Sequence, residues 1–326
     1  MDLQKKFTGA IIGSALGDAI GKCVEDITKY DVYEYYGGPI RGFVEPHPLS
    51  PSHGQAPEET SDETTVFRIL MESIINKKEI DIEDFIQRLI KWYEDESFHR
   101  YPDPALLTAV DLFVNGSSPA AEGLTSSSVE GILRSVAVGL YHYDNPYLSA
   151  EGSRVVSLLT HRSEYISAGA GVLGSAISFL VSDIDISDLD RKINFIKKLK
   201  SVSESDRLNK VLNKVSNLLL DMADLDTALL EIGNGTFVLE ALPLSLFIFL
   251  SKANEPEEAF WDGINSYGDF GGDTDSIGFL VGALVGAKYG IDVFPPELVD
   301  NLENSGYYIN IANKFIHIIK ESVRGG

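Results

Sequence analysis

The chain has 326 residues, 44% of them hydrophobic, which excludes disorder and provides for a substantial core. A formal net charge of −22 excludes binding to nucleic acid or anionic membrane through the overall field, so neither is an expected partner. The single cysteine, Cys23, excludes an internal disulfide and a thiolate metal cluster.

Helical periodicity begins near residue 5 and runs to about residue 25. This first stretch carries Gly9, Gly13, Gly17 and Gly21, and residues at that spacing share one helix face. Glycine in a helix interior costs up to about 1 kcal/mol against alanine, so the ridge needs a packing reason. Cys23 is expected to be a small core residue. The segment Met1–Lys6 lacks a secretory apolar run, and a cytoplasmic protein is expected.

Residues 36–60 carry Pro39, Pro46, Pro48, Pro51 and Pro57 and read as a long loop of the kind that covers a site. Further helices are expected over 64–76, 82–93, 104–114, 129–143, 148–159 and 165–181. A polar segment, 183–224, reads as a peripheral helical insertion with helices at 186–202 and 208–218. Helices follow at 225–230, 237–251, 256–267 and 312–323. The apolar run 241–250 is too short to span a bilayer. A second glycine ridge, Gly278, Gly282, Gly286 and Gly290, matches the first in spacing. Two central helices packed side by side are the expected reason for both ridges. Strand-like alternation is almost absent and no long repeat recurs, so the fold class is all-α, as one domain over 1–326.

The chemistry concentrates in Asp269-Phe270-Gly271-Gly272-Asp273-Thr274-Asp275-Ser276-Ile277-Gly278. Oxygen ligands on a turn that feeds a helix N-terminus suit a hard cation, and the same terminus favours phosphate. Mg²⁺ draws carboxylates from more than one segment, and the partner is Glu58 to Thr65. Together Ser61, Asp62 and Glu63 face Asp273, Asp275 and Ser276 as six oxygen donors for one or two ions. Helix capping by Thr60-x-x-Glu63, or by Asp273 or Thr274, accounts for either run without a metal. An EF-hand over 273–284 fails because Leu284 stands where a carboxylate is required. Residues 115–128, rich in Ser and Gly, form either a pyrophosphate cradle or a flexible surface loop.

With both runs and both ridges assembled, the chain resembles the ADP-ribosylglycohydrolase family from Phe7 to about Gly290. Residues 9–21 resemble its first motif, with Glu25 at a glutamate position. Ser61-Asp62-Glu63 is similar to its Thr-Asp-Asp motif, Thr160-His161 to its Thr-His pair, and Glu240-x-x-Pro243 to a further element. Residues 271–278 are nearly its Gly-Gly-Asp-Thr-Asp-Thr signature. The resemblance implies an all-α orthogonal helical bundle with a binuclear Mg²⁺ (or Mn²⁺) cleft. It also implies hydrolysis of the bond joining ADP-ribose to a protein side chain or small conjugate; a monomer is expected. Ser61, Asp62, Glu63, Asp273, Asp275 and Ser276 become metal ligands. Asp62 and Glu63, then Glu25, become the catalytic carboxylates. Ser126, Ser127, Ser128, Gly131 and His161 become substrate contacts. The chain departs from the family at Ser61, Glu63 and Ser276, and at 128–134, where Glu130 replaces an Asn-Gly element and Arg134 is kept.

Overall fold

The structure is a computed structural model and describes residues 2–324. Its helices begin with α1 (Leu3–Gly21), α2 (Lys29–Tyr36), α3 (Asp62–Lys77), α4 (Ile82–Tyr93), α5 (Pro104–Val114) and α6 (Pro119–Glu122). They continue with α7 (Glu130–Leu133), α8 (Ser135–Tyr141), α9 (Pro146–Ser157), α10 (Glu164–Val181), α11 (Leu189–Ser203) and α12 (Asp206–Leu220). The last are α13 (Leu225–Ile232), α14 (Val238–Ser251), α15 (Pro256–Ile264), α16 (Thr274–Tyr289), α17 (Pro296–Asn301) and α18 (Ser305–Arg324). No described residue belongs to a strand; two isolated bridges pair Ser128 with Phe237 and Gly268 with Gly271. The all-α expectation therefore holds.

At the centre, α1 and α16 run antiparallel. Every residue of α1 from Lys6 to Gly21 is buried, as is every residue of α16 from Thr274 to Ala287. Neither helix has a wet face, so neither needs a polar stripe. The glycine ridges meet directly. A Cβ on Gly13 would overlap the Gly282 carbonyl, one on Gly17 the Gly278 carbonyl, and one on Gly286 the Gly9 carbonyl. The expected side-by-side pair is thus a backbone-to-backbone seam. Around it stand α3, α10, α14, α15 and α18. By length and composition Leu3–Val24 and Glu164–Val181 could cross a bilayer, but 100% and 78% of those windows are buried inside the protein, as core helices are.

Several boundaries move. The helix expected over 129–143 is two, α7 and α8, meeting at Arg134. The last helix starts at Ser305 rather than 312, because Tyr308 and Ile311 are buried on the same face as Phe315. The sequence reading missed α2, α6 and α17, each short and poor in apolar spacing. The 183–224 insertion is α11 and α12. They pack on each other and on α10 and α14 through Phe195, Leu199, Leu208, Leu212 and Val215, all fully buried. The 36–60 loop is stitched to the end of α1. Lys22 Nζ donates to the Ala56 carbonyl (2.9 Å), Ser50 Oγ to the Lys22 carbonyl (2.8 Å) and the His47 N–H to the Cys23 carbonyl (2.9 Å).

Candidate metal centre

Two helix N-termini and one helix C-terminus converge at a single point. Ser61 is the N-cap of α3, and its Oγ accepts the Glu63 N–H at 3.2 Å. Asp273 is the N-cap of α16 and accepts the Ser276 N–H at 3.3 Å. Capping and the convergence of carboxylates coexist, since a cap uses one oxygen and leaves others. The positive ends of both helix dipoles favour the acids of their first turns, Asp62, Glu63 and Asp275. From α1 comes Asp18. Both its oxygens accept the Ser61 N–H at 3.0 Å, and Oδ2 also accepts the Thr64 N–H at 3.3 Å and its hydroxyl. Asp18, Glu63 and Asp275 are buried and each offers a carboxylate oxygen within 4.8 Å of the others.

The turn before α16 is held from three sides. The Asp26 N–H donates to the Gly272 carbonyl (3.0 Å) and the Asp273 N–H to the Asn234 carbonyl (2.9 Å). Asn234 Nδ2 donates to the carbonyls of Ser266 (2.8 Å) and Gly271 (2.7 Å). Gly271 has φ +85° and lies against the Asp26 backbone, so it needs both the left-handed conformation and the missing Cβ. Thr274 Oγ1 donates to the Gly21 carbonyl at 2.8 Å, which ties the turn to the seam.

The second wall is the 126–134 segment. The Val129 N–H donates to the Thr236 carbonyl (2.7 Å) and the Val238 N–H to the Ser127 carbonyl (3.0 Å). Ser126 Oγ accepts the Ser128 N–H (3.2 Å), Ser127 Oγ donates to Ser163 Oγ (2.9 Å), and Ser128 Oγ is buried without a partner among the described residues. Gly131 is packed against the His161 ring, where a Cβ would collide. His161 is fully buried; Nδ1 meets Thr160 Oγ1 at 2.8 Å and Nε2 meets Asp103 at 3.2 Å. Burial holds its imidazole below the usual range. For Asp103, burial opposes ionisation but the His161 contact and the backbone N–H groups of Leu106 and Ala105 outweigh it, at about 2.

Electrostatically the centre is crowded with negative charge. Burial, and then Asp275, pushes the half-buried Glu25 up to about 10. Burial raises Asp62 and Asp273 to about 6. It also raises Asp18, and lifts Glu63, Asp275 and Glu130 well above the usual carboxylate range, the last three with help from neighbouring carboxylates. Asp62 Oδ1, Glu63 Oε2 and Asp273 Oδ2 are buried with no hydrogen-bond partner among the described residues. Unpartnered buried carboxylate oxygens are costly, and a divalent cation removes that cost. The donors are all hard oxygens, so the residues present fit an ion of the Mg²⁺ or Ca²⁺ type.

Of the residues singled out in the sequence, Ser61, Asp62, Glu63, Asp273, Asp275, Ser276 and Glu25 come together here. Ser126, Ser127, Ser128 and Gly131 lie along the neighbouring wall, with His161 behind Gly131. Sequence reasoning assigned no role to Asp18, Asp103 or Arg100, whose backbone N–H donates to Asp62 Oδ2 at 2.6 Å. A lone carboxylate in an apolar, glycine-ridged helix was the available signal for Asp18.

Fold and site define an all-α protein with an acidic, oxygen-lined centre built on helix ends. The chain belongs to the ADP-ribosylglycohydrolase family, which residues 1–324 match, and it is a glycohydrolase of the ADP-ribosyl-hydrolysing class. It is 25% identical to an uncharacterized protein of Archaeoglobus fulgidus, covering 97% of each chain. It is 25% identical to mouse ADP-ribosylhydrolase ARH3, over 97% of this chain and 92% of that one. It is 24% identical to the ADP-ribosylarginine hydrolase Tri1 of Serratia proteamaculans, over 97% and 80% respectively. A solved structure described as an ADP-ribosylglycohydrolase-related protein complex shares the fold, with a TM-score of 0.69 and 19% identity over 97% of this chain and 99% of that one.

Proposed function

We propose that this chain is a cytoplasmic Mg²⁺-dependent hydrolase, one domain over 1–326, that cleaves the glycosidic bond between ADP-ribose and an acceptor. The acceptor is an arginine or serine side chain or a small conjugate, in keeping with the relatives named for ADP-ribosyl and ADP-ribosylarginine hydrolysis. The observation that carries this reading is the set of unpartnered buried oxygens on Asp62, Glu63 and Asp273. Ser61, Asp62, Glu63, Asp273, Asp275 and Ser276 would hold two ions, with Asp18 as a further carboxylate of the cluster. When bound, the ions supply Lewis-acid activation of water and orient sugar hydroxyls.

The chain's own residues do the rest. The Asp62 and Glu63 carboxylates are the candidates to take a proton from the attacking water as the ribosyl carbon gains oxocarbenium character. Asp62 is oriented for this by the Arg100 N–H. Glu25, beside Asp275, is the second candidate for the general base or acid. Ser126, Ser127 and Ser128 offer hydroxyls and N–H groups to a diphosphate, and His161 holds the Gly131 backbone behind them.

Glu130 supports a second reading. Its carboxylate stands beside Asp103, Asp273 and Asp275, where it opposes a diphosphate and favours a different nucleotide-sugar conjugate or an ADP-ribose-binding role. A hydrolysis screen of ADP-ribosyl-arginine, ADP-ribosyl-serine and O-acetyl-ADP-ribose, with Mg²⁺ and with chelator, decides. Turnover of any of the three that chelator abolishes supports the first reading; calorimetric binding of ADP-ribose without turnover supports the second.

A further inference from the structure

The carboxylates leave one buried cation unused. Arg134 is 1% exposed, and its Nε and Nη1 have no hydrogen-bond partner among the described residues. Its guanidinium lies over the Phe85 ring, 5.9 Å from the centroid, a contact that fixes the plane and satisfies no N–H. A metal ion cannot satisfy these groups, because both are positive. Only an acceptor can.

Arg134 lines a small void of about 10 Å³ together with Asp62, Glu63, Glu130 and His161. That volume corresponds to about one water and is far too small for a phosphate or a sugar. On the same walls, Asp62 Oδ1 and Glu63 Oε2 are acceptors without donors. His161 Nε2 lies 3.2 Å from Asp103 and is itself without a hydrogen-bond partner among the described residues. The void therefore meets both nitrogen groups and carboxylate oxygens that lack partners. A water molecule both accepts and donates, so one in this void can take an Arg134 N–H and give its two protons to the carboxylate oxygens.

We propose that one ordered water fills this void, accepts an N–H of the Arg134 guanidinium, and donates to Asp62 and Glu63. Arg134 is then a positioning residue, fixing through the water the two carboxylates of the α3 terminus. The water stands on the void and the guanidinium alone; the consequence for metal binding rests on the function proposed above.

The first test is a crystal structure of the whole chain, grown with and without Mg²⁺, at a resolution that shows waters. One water within hydrogen-bond distance of the Arg134 guanidinium in both forms is expected. An empty void, or Arg134 bonded directly to a carboxylate, overturns the proposal. The second test is Mg²⁺ calorimetry without substrate on Val66→Ile, which adds a methyl group to the void wall, and on Arg134→Met. Both are expected to bind Mg²⁺ about tenfold more weakly, the usual effect of losing an outer partner of a ligand. Unchanged affinity in folded Val66→Ile protein overturns the positioning role even if Arg134→Met fails to fold. A wild-type water with no ADP-ribosyl hydrolysis would sink the functional reading alone; hydrolysis with an empty void would sink this inference alone.

Discussion

The same two helices, α1 and α16, carry the driest and the most charged parts of the molecule. Along their middle, glycine faces glycine and backbone touches backbone. At one end, Asp18, Asp275 and Glu63 crowd together on helix termini. The seam is selected for shape, and tolerates no added atom. The centre is built from charge, carried on capped helix ends. A protein can place like charges this close only where the surrounding frame cannot relax away from them.

The largest effect tests the seam. Gly282→Ala puts a Cβ into the Gly13 carbonyl and is expected to destabilise by about 3 kcal/mol or more, read by denaturant unfolding. A near-neutral result would show that the helices can separate, and the contrast would fail. Next, Asp62→Asn is expected to lower kcat by about 10²–10⁴-fold while the melting temperature holds or rises. The amide oxygen can still accept the Arg100 N–H, and one charge leaves the cluster. A large fall in melting temperature would place Asp62 with the seam as a frame residue. Chelation comes third: it should abolish turnover and remove about 2.7 kcal/mol of stability relative to Mg²⁺ at a hundred times its dissociation constant. Thermal melts with and without chelator measure it.

The fourth concerns His161. Its folded pKa is depressed by burial, so the unfolded chain takes up a proton first as pH falls. The stability it contributes is present above its unfolded value, about 6.5, and is lost below that at up to about 1.4 kcal/mol per pH unit. His161→Gln should flatten the melting profile between about pH 6.5 and 5; an unchanged slope would assign that region to other groups. The smallest lies in the outer layer, where Met222 is 88% exposed and Met222→Ser should change stability by less than about 0.5 kcal/mol.

What the sequence made legible divides along the same line. Glycine spacing revealed the seam, because a side chain missing at every fourth position of a helix points to close backbone approach and to little else. The runs at 61–63 and 273–276 were legible because hydroxyls and carboxylates alternated at helix starts. Asp18 was not, since its role depends on α3 crossing near the end of α1, a tertiary fact. Nor was the division at Arg134, because two short helices joined in αR conformation carry the periodicity of one. The start of α18 was misplaced for a related reason. Its first turns show only Tyr308 and Ile311 on the buried face, between the exposed Gly306, Tyr307 and Asn310.

The glycine seam also acts as a ruler. Glycines recur every four residues on both helices, so α1 can slide past α16 only in steps of one notch, about 6 Å at 1.5 Å per residue. Any smaller slip drives a side chain into a backbone. The axial offset between Asp18 and Asp275 is therefore digital, set by counting residues rather than by the balance of soft contacts. A carboxylate cluster that must hold its spacing against its own repulsion thus has two of its members, Asp18 and Asp275, mounted on an interface that resists drift.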